Sequence, residues 1–332
     1  MATTKNNQAR EADREILIVR TIDAPCNLVW QAWTDPDRIG AWWGPDGFTT
    51  TTHQFELKPG GTWRFVMHGP DGTDFLNRIA FREVSEPNRL VYDQDNEAKT
   101  DDEAIRFQTR VSFEAQEENR TKVTLHTVFE RTEVRDHVSK TFGAVEGGIE
   151  CLGRLAQYVI AGADGSTRKH REVMTMALPH SREIVLHRRF HAPPSLVFDM
   201  FTKAEHLRNW WGCGAFEIES CETDLRVGGQ WRVVMRTPEG SEIPAFGTYL
   251  EIVNPRRVVQ SVHLFREDDP NDPPIETLEF RELEGGQKTL LVNSVRYPTQ
   301  ADRDRHMQSG IDQGAASAFD MIDEMLRKPS TA

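Results

Sequence analysis

The chain is written twice. Trp42-Trp43-Gly44 recurs as Trp210-Trp211-Gly212, 168 residues later. With the same offset Arg14-Glu15-Ile16 returns as Arg182-Glu183-Ile184 and Ala24-Pro25 as Ala192-Pro193. Gly60-Gly61-x-Trp63-Arg64 returns as Gly228-Gly229-x-Trp231-Arg232, and Pro87 as Pro255. The register holds without insertion from Arg14 to Val91. Solenoid and propeller repeats recur at roughly 20–50 residues, so this period marks duplication of a whole domain. A length of 332 residues agrees, since domains commonly run to roughly 100–200 residues. Each copy is long enough to bury its own core.

Charge narrows the partners. Asp and Glu number 52 against 40 Lys and Arg, a net charge of −12. Nucleic acids and anionic membranes favour basic surfaces, so neither is expected as a partner. No apolar run approaches the roughly 20 residues that span a bilayer. Residues 1–13 are polar and read as a flexible tail rather than a secretory signal. Cys26, Cys151, Cys213 and Cys221 form no Cys-x-x-Cys pair and fall at unrelated places in the two copies. They read as free thiols, which sets the expected compartment as the cytoplasm.

Each copy follows one programme. Ile16, Ile18 and Ile22 alternate with more polar neighbours, the period of a half-buried strand. Ala24-Pro25 ends it, and two short helices follow, broken by Asp35-Pro36 and ending near Trp43. Gly60-Gly61 and Pro70-Asp71-Gly72 punctuate about six further strands. Phe142, Val145, Ile149, Leu152, Leu155 and Val159 form one apolar stripe, which predicts a single long helix over about 134–160. The second copy repeats this over 182–328, with its last helix around 301–327. In that helix the offset is 167, pairing Gly143 with Gly310 and Gly147 with Gly314. These glycines mark a kink or close packing on the sheet. Residues 161–181 lack periodicity and read as a linker, with a basic cluster from Arg168 to Arg171. Hairpins in series with helices set aside predict an antiparallel α+β fold.

Several motifs together carry a resemblance. They are Ile18-Val19-Arg20-Thr21-Ile22-Asp23-Ala24-Pro25, Trp33-Thr34-Asp35-Pro36, Trp42-Trp43-Gly44-Pro45 and Gly60-Gly61-Thr62-Trp63-Arg64. The second copy matches with Arg188, Val197-Phe198, Phe201-Thr202 and its own Trp and Gly-Gly motifs. This pattern resembles bacterial homologues of the C-terminal domain of the heat-shock-protein-90 ATPase activator, within the START/Bet v 1-like (SRPBCC) superfamily. The resemblance implies two tandem helix-grip domains, over 14–160 and 182–328. Each would be a curved antiparallel sheet of about seven strands around a long C-terminal helix, with two short helices. It also implies a small apolar or amphipathic ligand, since superfamily members bind lipids, sterols, polyketides or hormones. Some members catalyse cyclisation or hydrolysis. The eukaryotic namesake stimulates its chaperone mainly through a separate N-terminal domain, which neither copy resembles.

The candidate site follows from that cavity. Inward strand positions would line it with Trp63, Phe65 and Met67, and with Trp231, Val233 and Met235 in the second copy. The last helices would add Ile149, Leu152, Phe319 and Ile322. Trp42, Trp43, Trp210 and Trp211 end the second short helix, and serve either as core or as an aromatic gate. Successive helix positions point about 100° apart, so one ring of each pair is expected in the core and the other at the rim. Arg20 and Arg188 share parity with the apolar face of the first strand. A buried guanidinium needs a carboxylate, and the recurring acids Glu56/Asp224 and Glu83/Glu251 are the candidates. The alternative is that these arginines anchor a polar group of the ligand. His187 and His191 lie on the opposite parity and are expected to be exposed. No metal set and no nucleotide loop can be assembled, and no cofactor is expected. Three classes stay open: ligand binding without catalysis, a cyclase- or hydrolase-like enzyme, and a protein-interaction module. Two fused copies also permit pseudo-twofold packing of the domains.

Overall fold

The computed structural model describes residues 13–96, 105–162, 172–264, 269 and 271–327. The expected tail, Asp13 excepted, and the basic cluster Arg168–Arg171 lie outside the described residues. The chain divides into two compact units: Met1–Arg171 with Thr175–Ser181, and Glu172–Met174 with Arg182–Ala332.

The first unit opens with β1 (Glu15–Ile22), α1 (Cys26–Thr34) and α2 (Pro36–Ile39). Then come β2 (Thr49–Phe55), β3 (Thr62–His68), β4 (Asp74–Ser85), β5 (Arg89–Asp95), β6 (Arg106–Gln116) and β7 (Arg120–Phe129). Helices α3 (Thr132–Phe142) and α4 (Ala144–Ala161) follow, and β8 (Thr175–Leu178) returns to the sheet. The strand order is β8-β1-β7-β6-β5-β4-β3-β2, antiparallel throughout. The alternation read from Ile16, Ile18 and Ile22 is the observed burial pattern of β1, with Arg20 on the buried parity.

The second unit repeats this with β9 (Glu183–Phe190), α5 (Pro194–Thr202) and α6 (Ala204–Leu207). Its remaining strands are β10 (Glu217–Thr223), β11 (Gln230–Arg236), β12 (Glu242–Val253), β13 (Arg257–Ser261), β14 (Ile275–Leu283) and β15 (Lys288–Arg296). Helices α7 (Gln300–Gln308) and α8 (Ile311–Arg327) close it. The order is β9-β15-β14-β13-β12-β11-β10, again antiparallel.

Two expectations are corrected. The stretch 161–181 carries β8, whose short run Thr175-Met176-Ala177-Leu178 pairs with β1 and was too brief to announce a period. The last helix of each copy is not continuous. Gly143 (φ 59) and Gly310 (φ 84) adopt the left-handed conformation, which ends one helix and starts the next, a geometry that glycine alone enters freely. Gly148 is the packing glycine: a Cβ there would stand 2.4 Å from Ile18 Cδ1.

Paired contacts hold the turn after the first strand and the helix beyond it in both units. Thr121 Oγ1 donates to the Ala24 carbonyl at 2.7 Å, and Thr289 Oγ1 to Ala192 at 2.7 Å. Trp42 Nε1 donates to Ala32 O and Trp210 Nε1 to Met200 O, both at 2.8 Å. A buried indole needs such an acceptor, and this one fixes the first Trp of each triplet over the preceding helix.

Candidate functional site

Where the sheet meets the last helix, the first unit gathers a cluster of rings. Trp33 lies 4.9 Å from Trp42 and 5.7 Å from Trp43 between centroids, Trp43 is 4.9 Å from Trp63, and Trp63 stacks on Phe65 at 4.0 Å. Trp42, Trp43, Trp63 and Phe65 are therefore one buried cluster. Ile149 and Leu152 are buried on α4, and Met67 is half-buried on β3.

The second unit holds a partly open cavity of about 180 Å³. Leu186 of β9, Phe201 of α5, Leu278 of β14 and Val295 of β15 line it, with Trp210 and Trp211 of the triplet. Ile311, Ala315, Ala318 and Phe319 of α8 form another wall. Trp231 backs Trp211 at 5.3 Å and is buried, as are Val233 and Ile322, and Met235 is half-buried; none of these four is a lining residue. Trp210, Trp211 and Phe319 are thus the sequence-expected residues that the fold brings to one cavity.

Three smaller side chains open this space. Tyr92 of β5 pairs with Thr109 of β6, and in the second unit Gln260 of β13 pairs with Glu276 of β14. Cys151 on α4 becomes Ala318 on α8, and Trp33 becomes Phe201. The exchanges at Gln260, Ala318 and Phe201 each remove volume, whereas Thr109 to Glu276 adds some. The exchange also changes polarity. Thr109 Oγ1 meets Thr127 Oγ1 at 3.1 Å in the first unit. Glu276 instead accepts from Gln260 Nε2 at 2.7 Å and from Asn293 Nδ2 at 2.8 Å. All three line the cavity. Burial pushes the Glu276 carboxyl above the usual carboxylate range, against the lowering effect of the two amides. Further polar residues of the lining are Asp302, Tyr297 and His306, the last two hydrogen-bonded to each other.

Glu276, Gln260 and Asn293 are the residues that sequence reasoning missed. The signal was present in the exchanges Tyr92/Gln260 and Thr109/Glu276. Tyr92/Gln260 still stands at an offset of 168, but Thr109/Glu276 stands at 167, so the ungapped comparison did not bring the two exchanges together.

The buried arginines are held differently in each unit. Arg188 Nη2 donates to Asp323 Oδ2 at 2.6 Å and to Asp320 Oδ1 at 3.0 Å, both on α8. The expectation of a carboxylate is met, but not by the acids named for it. Glu56, Asp224, Glu83 and Glu251 pair instead with Lys58, Arg226, Arg89 and Arg257. Recurrence in both copies, on which that assignment stood, marks these acids as paired features but does not say which base each one meets. In the first unit Gly153 and Ala156 take the helix positions of Asp320 and Asp323. There Arg20 Nη1 donates to Thr175 Oγ1 at 2.6 Å, on β8. Arg188 is not among the residues that line the cavity.

His187 is a further correction. It is buried, because both faces of β9 are covered, whereas parity alone assumes one wet face. Burial first, then Arg281 and Arg189, lower its pKa to about 4. His191 is exposed. Among the described residues no group of three or more His, Cys, Asp or Glu is placed to hold a metal ion. No described helix is long and apolar enough to cross a membrane.

A family model described as Activator of Hsp90 ATPase homolog 1-like protein matches residues 23–160 and again 191–327. No curated protein matches the chain. Similar solved structures include a protein from Rhodobacter sphaeroides, 24% identical, covering 46% of this chain and 97% of its own, with a TM-score of 0.42. A protein from Arthrobacter aurescens is 28% identical over 48% of this chain and 93% of its own, with a TM-score of 0.42. A Plasmodium falciparum protein described as an HSP90 activator is 25% identical over 35% of this chain and 74% of its own, with a TM-score of 0.29.

Proposed function

This chain belongs to the Activator of Hsp90 ATPase homolog 1-like protein family, twice over, and from that premise we propose that its second repeat binds a small, largely apolar molecule between the sheet and α8. The observation that carries this reading is the cavity of about 180 Å³, walled by Trp210, Trp211, Leu278, Val295 and Phe319 with a short polar cluster. Apolar pockets with a few convergent polar groups are the usual form of small-molecule sites. The volume suits a ligand of modest size, since an apolar cavity of roughly 150 Å³ accepts benzene. In this reading each repeat is a helix-grip domain, and the first has its interior occupied by its own rings.

The test uses the repeat against itself. Gln260→Tyr installs the first unit's residue at the cavity wall. Native mass spectrometry of the purified full-length chain is expected to carry a small-molecule adduct that the variant lacks, or, where none co-purifies, the wild type alone binds benzene in calorimetry. Equal behaviour of wild type and variant would remove the cavity from the reading.

A second reading draws on Glu276. A carboxyl held above its usual range in an apolar cavity has the character of a general acid. If bound ligand is converted, Glu276→Gln retains binding and abolishes conversion; conversion that survives the substitution excludes this role.

A further inference from the structure

The turn that follows each Trp-Trp-Gly triplet is tied down in one unit and lightly held in the other. In the first unit Arg154 of α4 donates to the carbonyls of Gly44, Pro45 and Phe48 at 3.0, 2.8 and 3.0 Å. The Asp46 amide donates to Glu150 Oε2 at 3.1 Å, and Thr50 Oγ1 to the Trp43 carbonyl at 2.8 Å. In the second unit Met321, Ser317 and Ile218 stand in place of Arg154, Glu150 and Thr50. A thioether and a hydrocarbon have no proton to donate, and serine is a shorter side chain than glutamate. There the turn reaches α8 through the Cys213 thiol, which donates to the Gly314 carbonyl at 3.1 Å, and a thiol is a weak donor. Cys213 also holds φ 52, a left-handed conformation that strains a residue with a Cβ. The lightly held turn is the one that borders the cavity. Trp211 and Cys213 line it together with Ala315 and Ala318 of α8, and Trp211 is half-buried where Trp43 is buried.

We infer that the turn 212–216 is the entrance to the second repeat's cavity, a lid that swings away from α8 to admit a ligand and carries Cys213 with it. The inference rests on the reading that this cavity binds a small molecule, and adds the route by which it fills. How often a segment opens is set by the contacts that hold it shut. Here opening gives up the thiol bond to α8 and relieves the φ of Cys213. In the first unit the same movement would break the arginine clamp, whose charged donor makes the stronger kind of hydrogen bond. The other walls are less free to move. Leu278 and Val295 belong to β14 and β15, which pair along their whole length, and Phe201 and Phe319 sit within helices.

Gly314→Cys makes a lid that can be locked. A Cβ at Gly314 stands 3.9 Å from Cys213 Sγ, so a cysteine there is within reach of a disulfide, closed with oxidised glutathione and reopened with dithiothreitol. Gly314 does not line the cavity. Benzene is the probe, and NMR saturation transfer on the full-length chain reads its exchange between water and protein. The cross-link is expected to slow benzene entry and exit together by about tenfold or more, and reduction to restore the wild-type rate. Unchanged exchange in the cross-linked protein would overturn the entrance assignment and leave the cavity reading standing. A wild type that takes up no benzene would overturn both. Should the disulfide not form, hydrogen exchange on the wild type decides. Corrected for the intrinsic rate of each sequence, the amides of 212–216 are expected to exchange about tenfold or more faster than those of 44–48. Equal protection of the two turns would overturn the lid.

Discussion

The ion pair between β9 and α8 gives the sharpest stability experiment. Arg188 is 2% exposed and Asp323 5%, so neither charge can turn to water when its partner is removed. Breaking a buried pair costs about 3–5 kcal/mol, because the remaining charge stays buried. The surroundings order the two single variants. Arg188→Met leaves Asp323 with Arg327 at 3.7 Å, itself largely exposed, which returns little. Its cost belongs at the upper end, about 5 kcal/mol. Asp323→Leu leaves Arg188 with Asp320 at 3.0 Å, so its cost is nearer about 3 kcal/mol. Replacing both by apolar groups removes the desolvation problem and should return to within about 1 kcal/mol of wild type. For a unit of this size each kcal/mol moves the midpoint by about 2–4 °C, so the singles fall by about 6–20 °C. Thermal unfolding followed by circular dichroism, arranged as a double-mutant cycle, reads the coupling directly. Additive losses in the double variant, or single losses below about 1 kcal/mol, would refute a buried, mutually dependent pair.

Three further outcomes are expected. The adjacent glycines of the first hairpin turn should fail for different reasons. Gly60→Ala has open space but φ +81 and costs about 1–2 kcal/mol. Gly61→Ala sets a Cβ 2.1 Å from the Glu56 carbonyl and costs at least the upper end of about 1–3 kcal/mol; equal losses in urea unfolding would contradict this. His187, with its pKa lowered from 6.5 to about 4, binds a proton more readily unfolded than folded. Stability should therefore decline as pH falls from about 6.5 toward about 4, by about 3 kcal/mol at most. His187→Gln should reduce that slope, and an unchanged pH profile of the melting point would exclude the burial argument. Arg154 donates to the carbonyls of Gly44, Pro45 and Phe48 at 3.0, 2.8 and 3.0 Å. Arg154→Met, which installs the residue found at Met321, should cost about 1.5–3 kcal/mol and raise hydrogen exchange at the 44–48 turn; unchanged exchange would show that the turn holds itself.

What the sequence disclosed was what is repeated. The triplets, Gly-Gly-x-Trp-Arg and the strand parity of Arg20 and Arg188 are local patterns, and local patterns survive in a single sequence. The burial of both arginines follows from parity alone. Their partners do not, because Asp320, Asp323 and Thr175 arrive from elements more than 130 residues away. Gly143 and Gly310 were visible as paired glycines. The apolar stripe ran unbroken through Phe142 and Val145, so periodicity suggested one helix where the backbone turns left-handed. His187 escaped because parity says which face a residue takes, not whether that face is covered. The cavity escaped because it is a difference in volume, spread over Phe201, Gln260 and Ala318 in three separate elements.

The comparison between the two units also separates what the fold requires from what it does not. Thr121 and Thr289 make the same bond to the turn after the first strand, and Trp42 and Trp210 the same bond to the helix that follows it, at matching distances. Those contacts hold the backbone, and neither unit departs from them. Glu276 is of another kind. Burying a carboxyl costs several kcal/mol even when amides offset part of it. Its place in the first unit is taken by Thr109, beside a tyrosine that fills the space. The scaffold closes with that neutral, well-packed pair, so nothing in the fold demands an acid and a smaller neighbour together. An acid placed where the other repeat carries a neutral pair is explained by what it lines. In the second repeat that is the cavity.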